Sequence, residues 1–264
     1  MRSWRRKMSW VLVITALVLA GSRGGDDPLA RHAGVSDKAL IEFNGETMLT
    51  RVVAALREAG AGRIAVSFSS EAVADHARAL GVETIPAAPG PSESVGRAFE
   101  ALGAPLLVTT ADHALLRPEW ITRFVADVPG DVDVAALLAE RRVIEAEVPD
   151  TRRTYLRFAD GQWSGCNLFW LASDRAAHAL TLWRSVEADR KRPWRIVRRL
   201  GPGLLLRYLF GRLTLDAALA ALGRTAGVRA AAVASPFGLA AVDVDKPDDI
   251  ALVARLIRAR SPAI

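Results

Sequence analysis

The sequence predicts a Rossmann-like α/β fold, in which helices form two outer layers around a mostly parallel sheet (a three-layer α/β/α arrangement). Strand-like and helix-like segments alternate through the first half of the chain, and such alternation implies parallel strands covered on both faces. The first strand-like segment is a continuous apolar run, as expected for a strand buried on both faces. The length of 264 residues suits one large α/β domain or a core with one insertion.

In the first half, strands and helices are predicted to alternate. The strands cover residues 11–19, 63–67, 82–85 and 105–109, and the helices cover 47–59, 71–80 and 92–102. The first of these helices carries apolar residues at helical spacing, namely Leu49, Val52, Val53 and Leu56. A long polar loop separates the first strand from Lys38.

The second half is less regular. Strands are predicted over 132–138, 154–158, 166–171, 230–234 and 241–244, and helices over 173–186 and 248–260. Asp160-Gly161 resembles the turn of a hairpin between two of these strands. We expect residues 1–264 to form a single domain, with residues 1–8 as a disordered extension and residues 184–223 as a helical insertion.

The N-terminal apolar segment, residues 10–20, admits two interpretations. Basic residues precede it and small residues follow it, which is the pattern of a cleaved signal peptide. Its run of β-branched and aliphatic residues is also that of a buried strand. The glycine-rich sequence after Ala20 favours the strand, because such a turn binds phosphate well. We therefore expect a core strand in a cytoplasmic protein, with Met8 as an alternative start.

The net charge of +6 is concentrated in two clusters, one before Met8 and one over residues 184–199. Proteins that bind nucleic acid generally present a broad basic face. Because the rest of the chain is net negative, we expect no nucleic-acid partner and predict a small phosphorylated substrate. The basic and then apolar residues 190–210 suit a peripheral contact with an anionic membrane. A partly buried helical insertion explains the same segment, and both interpretations stay open.

The turn after the first predicted strand is a candidate triphosphate site. Its residues are Leu19, Ala20, Gly21, Ser22 and Arg23, and Lys38 follows fifteen residues later. Glycine lacks a Cβ, so the backbone N–H groups of such a turn approach phosphate oxygens closely. Arg23 and Lys38 are the candidate catalytic cations, because they would neutralise charge that develops on the phosphates. A simple turn without a ligand is the competing interpretation.

Three acidic residues are candidate ligands for Mg²⁺, which prefers carboxylate oxygens. Asp112 follows the predicted strand over 105–109, at the carboxyl end where α/β sheets bind ligands. Asp243 and Asp245 are two residues apart in a strand-like sequence, which would place both side chains on one face. Either could be the second ligand beside Asp112. An N-cap role for Asp112, at a helix over 118–125, is the competing interpretation.

These motifs, in this order, resemble the MobA-like NTP transferases, which include molybdenum-cofactor and sugar-phosphate nucleotidyltransferases. The resemblance rests on residues 19–23, 37–40, 44–49, 90–95, 110–112 and 242–249. It implies a fold of the GT-A, nucleotide-diphospho-sugar transferase type, a nucleobase contact at Gly90 and Ser94, and a metal-binding Asp112. Ser22 stands where the family usually has Gly, and Asp37 where it usually has Pro. The resemblance therefore does not extend to the identity of the substrate.

The resemblance also implies an acceptor site in the second half of the chain. Arg152, Arg153, Gly165 and Asn167 lie where relatives bind the acceptor. Arginine can hold a phosphate bidentately, and an Asn side chain both donates and accepts hydrogen bonds. An exposed charged turn is the competing interpretation for the two arginines.

The sequence thus predicts a Mg²⁺-dependent nucleotidyltransferase. It would move a nucleoside monophosphate from an NTP, with CTP or GTP favoured, to a phosphorylated small-molecule acceptor and release pyrophosphate. Two alternatives stay open: a nucleotide-sugar-dependent glycosyltransferase of related fold, and a non-enzymatic exported or membrane-attached binding protein. Cys166 is the only cysteine and the four histidines are scattered, so we expect neither an intramolecular disulfide nor a zinc site. The oligomeric state has no signal in the sequence.

Overall fold

The computed structural model describes residues 14–21, 27–149, 151, 153–188 and 201–259. Its strands are β1 (Ile14–Ala20), β2 (Glu42–Phe43), β3 (Glu46–Thr47), β4 (Ala61–Phe68), β5 (Glu83–Pro86), β6 (Leu106–Thr110), β7 (Val134–Glu140), β8 (Leu156–Phe158), β9 (Gly161–Leu171) and β10 (Ala230–Ser235). Its helices are α1 (Pro28–His32), α2 (Met48–Glu58), α3 (Glu71–Ala79), α4 (Pro91–Leu102), α5 (Pro118–Asp127), α6 (Arg141–Glu147), α7 (Ala176–Ala188), α8 (Pro202–Leu209), α9 (Leu215–Ala226) and α10 (Pro247–Arg258). The predicted extension over residues 1–8 lies outside the described residues.

The main sheet has eight strands in the order β10-β7-β9-β6-β1-β4-β5, with β8 paired to β9. Strand β1 is parallel to β4 and to β6, β4 is parallel to β5, and β7 is parallel to β10. Strand β9 is antiparallel to its neighbours β6, β7 and β8. The predicted α/β fold with a mostly parallel sheet is therefore confirmed, and the long strand β9 is its antiparallel element.

Helices cover both faces of this sheet. On one face, α2, α3, α5 and α10 contribute to a large core cluster that includes Leu56. On the other face, α4 and α7 pack over Leu17, with Leu180 of α7 buried there. Strand β1 runs between the two layers, and Leu17 and Val18 are fully buried. Each such side chain contributes about 1.5–3 kcal/mol of hydrophobic stabilisation, so residues 14–20 form the predicted core strand.

Local sequence sets the ends of the helices that flank the sheet. Helix α2 begins after Thr47, whose side chain accepts a hydrogen bond from the Thr50 N–H as an N-cap. Helix α4 begins with Pro91, which is favoured in a first turn, and ends before Gly103 at φ +75°. The predicted helices over 47–59 and 92–102 match these bounds within one residue, because their start and stop signals are local.

The predicted strand over residues 241–244 is wrong. Residues Gly238–Ala241 form a 3₁₀ helix, and an extended segment without strand pairing follows. All four residues of the 3₁₀ helix are buried, and a Cβ on Gly238 would lie 2.3 Å from the carbonyl oxygen of Val143 in α6. A fully buried turn produces the same unbroken apolar run as a buried strand, so periodicity does not separate them. Helices α1 and α6 and the β2–β3 hairpin are short elements that the sequence did not predict.

Helices occupy the described parts of residues 184–223. Helix α7 ends in this range, α8 lies within it, and α9 begins within it, while residues 189–200 lie outside the described residues. Leu213, Leu215 and Ala218 are buried, so the start of α9 packs against the body of the protein. Within the described ranges, no helix combines the length and apolar character needed to cross a membrane.

Candidate active site

A cleft of about 520 Å³ opens at the carboxyl ends of the parallel strands β1, β4 and β6. Ligands of open α/β sheets bind at this edge. Its lining includes many of the candidate residues from the sequence, namely Leu19, Ala20, Gly21, Lys38, Gly90, Ser94, Asp112 and Asp245. The fold thus collects most of the predicted nucleotide and metal residues around one space.

Strand β1 ends at the cleft. The carbonyl oxygen of Leu19 accepts a hydrogen bond from the Ala111 N–H at 2.9 Å, which joins the end of β1 to the residue that follows β6. Gly21 is exposed, and a Cβ built on it would lie 3.4 Å from the Cβ of Ala87. Ser22 and Arg23, which complete the predicted triphosphate turn, lie outside the described residues.

Lys38 is the cation in the polar wall of the cleft. Its Nζ donates to Oδ2 of Asp112 at 2.7 Å and to Oδ1 of Asp245 at 3.3 Å. Burial by itself lowers the pKa of Lys38, but the attraction and hydrogen bonds of the two carboxylates outweigh burial and raise this pKa above its ordinary value. Lys38 is therefore a fixed positive charge at neutral pH, held between two separate segments.

A short 3₁₀ helix, Lys38–Leu40, positions that lysine. Asp37 is its N-cap, and its carboxylate accepts hydrogen bonds from the Ala39 N–H at 3.0 Å and the Ser70 hydroxyl at 3.2 Å. Burial raises the pKa of Asp37 above its usual value, against the effect of these hydrogen bonds. Sequence reasoning treated Asp37 only as a departure from a family pattern. The signal that could have found its role is the N-cap preference for Asp.

Asp112 follows β6 and is bonded on both carboxylate oxygens. The Thr110 hydroxyl donates to Oδ1 and Lys38 donates to Oδ2. Its backbone carbonyl accepts from the Val244 N–H at 3.1 Å, which brings the segment before α10 alongside β6. The N-cap of α5 is Arg117, so Asp112 does not cap that helix. The hydrogen bond from Thr110 was not foreseen from the sequence.

Asp245 lies at the mouth of the cleft, just before α10. The Asp249 carboxylate accepts hydrogen bonds from the backbone N–H groups of Asp245 at 3.0 Å and Lys246 at 2.9 Å. This cap leaves the Asp245 side chain more than half exposed and directed at Lys38. The first turn of α10 therefore fixes the backbone of a candidate metal ligand.

Asp243 has different partners from Asp245. Arg153 donates to its Oδ1, and the Asn167 amide donates to its Oδ2 at 2.7 Å. Asn167 lies on β9 at φ +50°, a left-handed conformation in which Asn is enriched. Burial raises the pKa of Asp243, Arg153 lowers it, and the charges of Asp245 and Asp112 raise it. Two of the predicted acceptor residues thus meet on a predicted metal ligand.

The expectation that strand geometry places Asp243 and Asp245 on one face is wrong, because residues 242–245 form no strand. Asp245 bonds Lys38 and lines the cleft, whereas Asp243 bonds Arg153 and Asn167. Within the described ranges, no group of three or more His, Cys, Asp or Glu side chains is arranged to hold a metal. Mg²⁺ commonly takes one or two carboxylates and completes its shell with phosphates and water. Asp112 and Asp245 fit that pattern.

Gly90 and Ser94 belong to the loop and first turn of α4 at the cleft. The Ser94 hydroxyl accepts from the Ala88 N–H at 2.9 Å and donates to the Gly90 carbonyl at 3.0 Å, so it holds this loop closed. The Glu187 carboxylate of α7 accepts hydrogen bonds from the backbone and hydroxyl of Ser92. Glu187 was missed because nothing in the local sequence connects it to a residue 95 positions away.

The other two acceptor candidates do not join the Asp243 cluster. Gly165 is exposed on β9 opposite Leu138 of β7, and a Cβ built on it would meet nothing within 4 Å. Arg152 lies outside the described residues. Only Arg153 and Asn167 of the predicted acceptor set are therefore seen in contact with the candidate metal residues.

The chain is similar to known transferases in sequence and in fold. The model of the MobA-like NTP transferase domain matches residues 16–203. A hypothetical transferase from Thermus thermophilus has a TM-score of 0.76 and 33% identity, over 90% of this chain and 99% of that chain. A CMP:2-keto-3-deoxy-manno-octonic acid synthetase complexed with CTP has a TM-score of 0.57 and 15% identity, over 93% of this chain and 98% of that chain, which shows a shared fold.

A curated relative adds sequence similarity over a shorter region. The 3-deoxy-manno-octulosonate cytidylyltransferase of Chelativorans sp. (strain BNC1) is 35% identical over 112 residues. That match covers 39% of this chain and 45% of the enzyme, so the chain spans about half the length of this relative.

Proposed function

The chain belongs to the family of MobA-like NTP transferase domains, and from that premise we propose that it is a Mg²⁺-dependent cytidylyltransferase. An oxyanion of a phosphorylated small-molecule acceptor attacks the α-phosphorus of CTP. The new P–O bond forms as the bond to the β-phosphate oxygen breaks, and pyrophosphate leaves. The observation that carries this proposal is the placement of Lys38 between Asp112 and Asp245 in the wall of the cleft.

The choice of CTP rests on the relatives. The curated relative is a cytidylyltransferase, and one solved structure of the same fold holds CTP. We assign the base to the loop before α4. Hydrogen bonds of Ser94 hold this loop closed, and Glu187 accepts a hydrogen bond from Ser92 beside it. GTP is the other nucleotide that the sequence favours, and pyrophosphate release measured separately with CTP and with GTP distinguishes the two.

Lys38 is the residue that we assign to the triphosphate. Its ammonium is charged at neutral pH and lies on the cleft wall beside the loop that begins at Gly21. A fixed cation stabilises negative charge that develops on phosphate oxygens, at no cost of reorganisation during the reaction. Arg23, which follows Gly21 by two residues, is proposed to act with Lys38 on the same phosphates.

Asp112 and Asp245 are the residues that we propose to hold Mg²⁺. Both line the cleft, and both share Lys38 as a hydrogen-bond partner, so the two carboxylates converge. When bound, the ion supplies Lewis-acid polarisation and neutralises phosphate charge. Asp243 is the alternative second ligand, but its two oxygens are engaged by Arg153 and Asn167.

Arg153 and Asn167 are assigned to the acceptor side, together with Arg152 and Gly165. Arg153 and Asn167 both contact Asp243, whose charge interacts with those of Asp112 and Asp245, so they lie beside the candidate metal residues. A guanidinium there suits an acceptor that carries a phosphate. No general base is needed, because a phosphate nucleophile is already ionised at neutral pH.

Residues 1–264 are proposed to act as a single cytoplasmic domain. Strand β1 supports this proposal, because it lies between β4 and β6 in the sheet and ends at the cleft. Removal of the chain up to Ala20 would delete that strand. The sheet and the cleft would then both be incomplete.

The test is pyrophosphate release with Mg²⁺ from each of the four NTPs. The acceptors are a panel of phosphorylated sugars, polyols and cofactor precursors, with 3-deoxy-manno-octulosonate as an unphosphorylated acceptor that carries a carboxylate and would react through a hydroxyl. We expect release from CTP with a phosphorylated acceptor, and loss of release in the Lys38→Ala variant. Arg63→Gln is the matched control, because Arg63 forms an exposed ion pair with Glu83 on the sheet edge.

Each alternative outcome has a defined meaning. Release from GTP alone would replace CTP by GTP as the proposed nucleotide substrate. Release with the carboxylate acceptor alone would replace the acceptor class. No release from any NTP, together with saturable binding of a nucleotide-sugar, would overturn the proposal in favour of glycosyl transfer.

A further inference from the structure

Helix α8 and the β8–β9 hairpin together present an exposed apolar surface. Leu209 is 67% exposed and Phe210 is 72% exposed, which is unusual for side chains of this size. The further exposed apolar members are Leu156, Leu206 and Tyr208. We call these five residues the α8 surface. Grouped apolar exposure of this kind marks an interaction site more often than isolated exposed residues do.

The α8 surface is held in a fixed position by the hairpin. The ring of Tyr208 packs edge-on against Phe158 of β8, with centroids 6.2 Å apart. The Ala159 N–H donates to the carbonyl of Leu213 at 2.8 Å, and the Leu215 N–H donates to the Asp160 carboxylate at 3.0 Å. The helix is therefore anchored at its carboxyl end to the turn of the hairpin.

Two cations border the α8 surface. Arg207 of α8 and Arg212, just after α8, are exposed, and among the described residues neither forms an ion pair with a carboxylate. The carboxylate of Asp160, in the turn of the hairpin, accepts a hydrogen bond from the Leu215 N–H at the start of α9. The surface therefore combines apolar side chains with unneutralised positive charge.

These two properties select one kind of partner. A second copy of the chain would bring the same arginines against each other, which disfavours a symmetric dimer through this face. A lipid bilayer with anionic headgroups takes Leu and Phe side chains into its interface and attracts Arg at the same time. Helix α8 is eight residues long, which suits an interfacial element lying in the plane of a membrane.

We propose that the α8 surface docks the protein onto an anionic lipid bilayer. Leu206, Leu209 and Phe210 insert at the level of the headgroups, while Arg207 and Arg212 contact lipid phosphates. The docking does not depend on the nucleotidyl transfer proposed above. It uses a different surface, and Lys38 and Asp112 take no part in it.

The experiment is co-sedimentation of the full-length protein with vesicles of phosphatidylglycerol and phosphatidylcholine, compared with vesicles of phosphatidylcholine alone. We expect binding to the anionic vesicles that falls about thirtyfold in Arg207→Gln/Arg212→Gln, because each of the two cations near an anionic surface strengthens binding by about fivefold. Leu209→Gln/Phe210→Gln should lower binding to a similar extent. Neither pair of substitutions removes a buried side chain, so both variants should fold as the parent does.

The matched control is Arg78→Gln/Arg123→Gln, which removes two exposed positive charges in α3 and α5. It should bind anionic vesicles like the parent, because the effect is local and does not depend on net charge alone. The Lys38→Ala variant should also bind like the parent. This result keeps the docking surface distinguishable from the active site.

Three results would overturn the proposal. The first is equal binding of the parent and the Leu209→Gln/Phe210→Gln variant to anionic vesicles. The second is an equal loss in the Arg78→Gln/Arg123→Gln control, which would mean that net charge alone attracts the protein. The third is a parent that is dimeric by light scattering and becomes monomeric in Leu209→Gln/Phe210→Gln, which would assign the surface to a second copy.

Discussion

Two cation–carboxylate pairs lie in the candidate active site, and they differ in burial. In the nucleotide-side pair, Lys38 and Asp112 have side chains 25% and 15% exposed. In the acceptor-side pair, Arg153 and Asp243 have side chains 11% and 13% exposed. The first pair lines the cleft, whereas neither member of the second pair does. Two similar ion pairs therefore lie in different environments, one in the wall of the cleft and one buried outside it.

The difference in burial suggests a catalytic role for the nucleotide-side pair and a structural role for the acceptor-side pair. Lys38 is shared between Asp112 and the exposed Asp245, so its partners can rearrange when phosphates enter the cleft. Asp243 is bonded on both oxygens by Arg153 and Asn167, and its partners come from segments that precede β8 and lie within β9. A buried carboxylate that loses its partner is costly, whereas an accessible one can be solvated. We expect substitutions in the nucleotide-side pair to lower activity, and those in the acceptor-side pair to lower stability as well.

The largest effect is expected on catalysis from the nucleotide-side pair. Lys38→Ala and Asp112→Asn should each lower the rate of pyrophosphate release by about 10²- to 10³-fold, the range for loss of one fixed electrostatic group. Their thermal unfolding midpoints should change little compared with Arg63→Gln, the surface control. Activity within threefold of the parent in both variants would remove these residues from the site.

The second prediction concerns the acceptor-side pair. Arg153→Ala leaves the buried Asp243 carboxylate without its cation, and should lower the free energy of unfolding by about 4 kcal/mol. Arg153→Ala/Asp243→Asn should recover part of this loss, because the unpaired charge is then removed. Urea denaturation of the parent, the single variants and the double variant measures the coupling. An Arg153→Ala protein as stable as the Lys38→Ala protein would contradict the contrast between the two pairs.

Cys166 offers an independent readout of the same change. It lies next to Asn167 on β9, is 1% exposed, and burial raises the pKa of its thiol to about 12. It is the only cysteine in the chain. Alkylation at pH 8 should therefore be slow in the parent and faster in Arg153→Ala, if loss of the ion pair loosens β9.

The third prediction separates the two contributions of Asn167. Asn167→Gly keeps the left-handed backbone accessible and removes the hydrogen bond to Asp243, at a cost of about 2 kcal/mol. Asn167→Ala removes the same bond and adds about 1 kcal/mol for a Cβ at positive φ. Chemical denaturation should rank the parent above Gly and Gly above Ala. Equal stability of the two variants would show that the conformation at φ +50° is not a constraint.

The smallest expected effect is at the N-cap beside Lys38. Asp37→Ala should lower the free energy of unfolding by about 1 kcal/mol, as is typical for loss of an N-cap. Its Michaelis constant for CTP should rise, because the 3₁₀ helix that positions Lys38 loses its cap. Asp37→Asn keeps an acceptor oxygen for the Ala39 N–H and is the matched control. A Michaelis constant that rises equally in both variants would assign the effect to the charge of Asp37 instead of its cap.

Most of the fold was predictable because its signals are local. The helices over 47–59, 71–80 and 92–102 and the strands between them follow from periodicity and end signals within about a dozen residues. The second half was less predictable. The buried 3₁₀ helix Gly238–Ala241 mimics a strand, and α6 follows β7 without any intervening loop.

The candidate site divides in the same way. Gly21, Lys38 and Asp112 were found because each stands in a short motif at the end of a predicted strand or shortly after one. Asp37 was present in such a motif but its capping role was missed. Thr110 also stood in a motif, but its hydrogen bond to Asp112 was missed. Glu187 acts through a contact that no motif encodes, and the partner of Arg153 depends on how β9 and the segment before α10 pack.

The sequence by itself determined most of the longer strands and helices, the motifs and the candidate cations and carboxylates, because these depend on residue type and on spacing within short segments. Only the tertiary structure decided which cation meets which carboxylate. Lys38 joins Asp112 across 74 positions and Asp245 across 207, and Arg153 joins Asp243 across 90. Such pairings depend on how the sheet brings distant segments to one edge. Burial then makes each pairing strong or weak, and burial is a property of the packed chain.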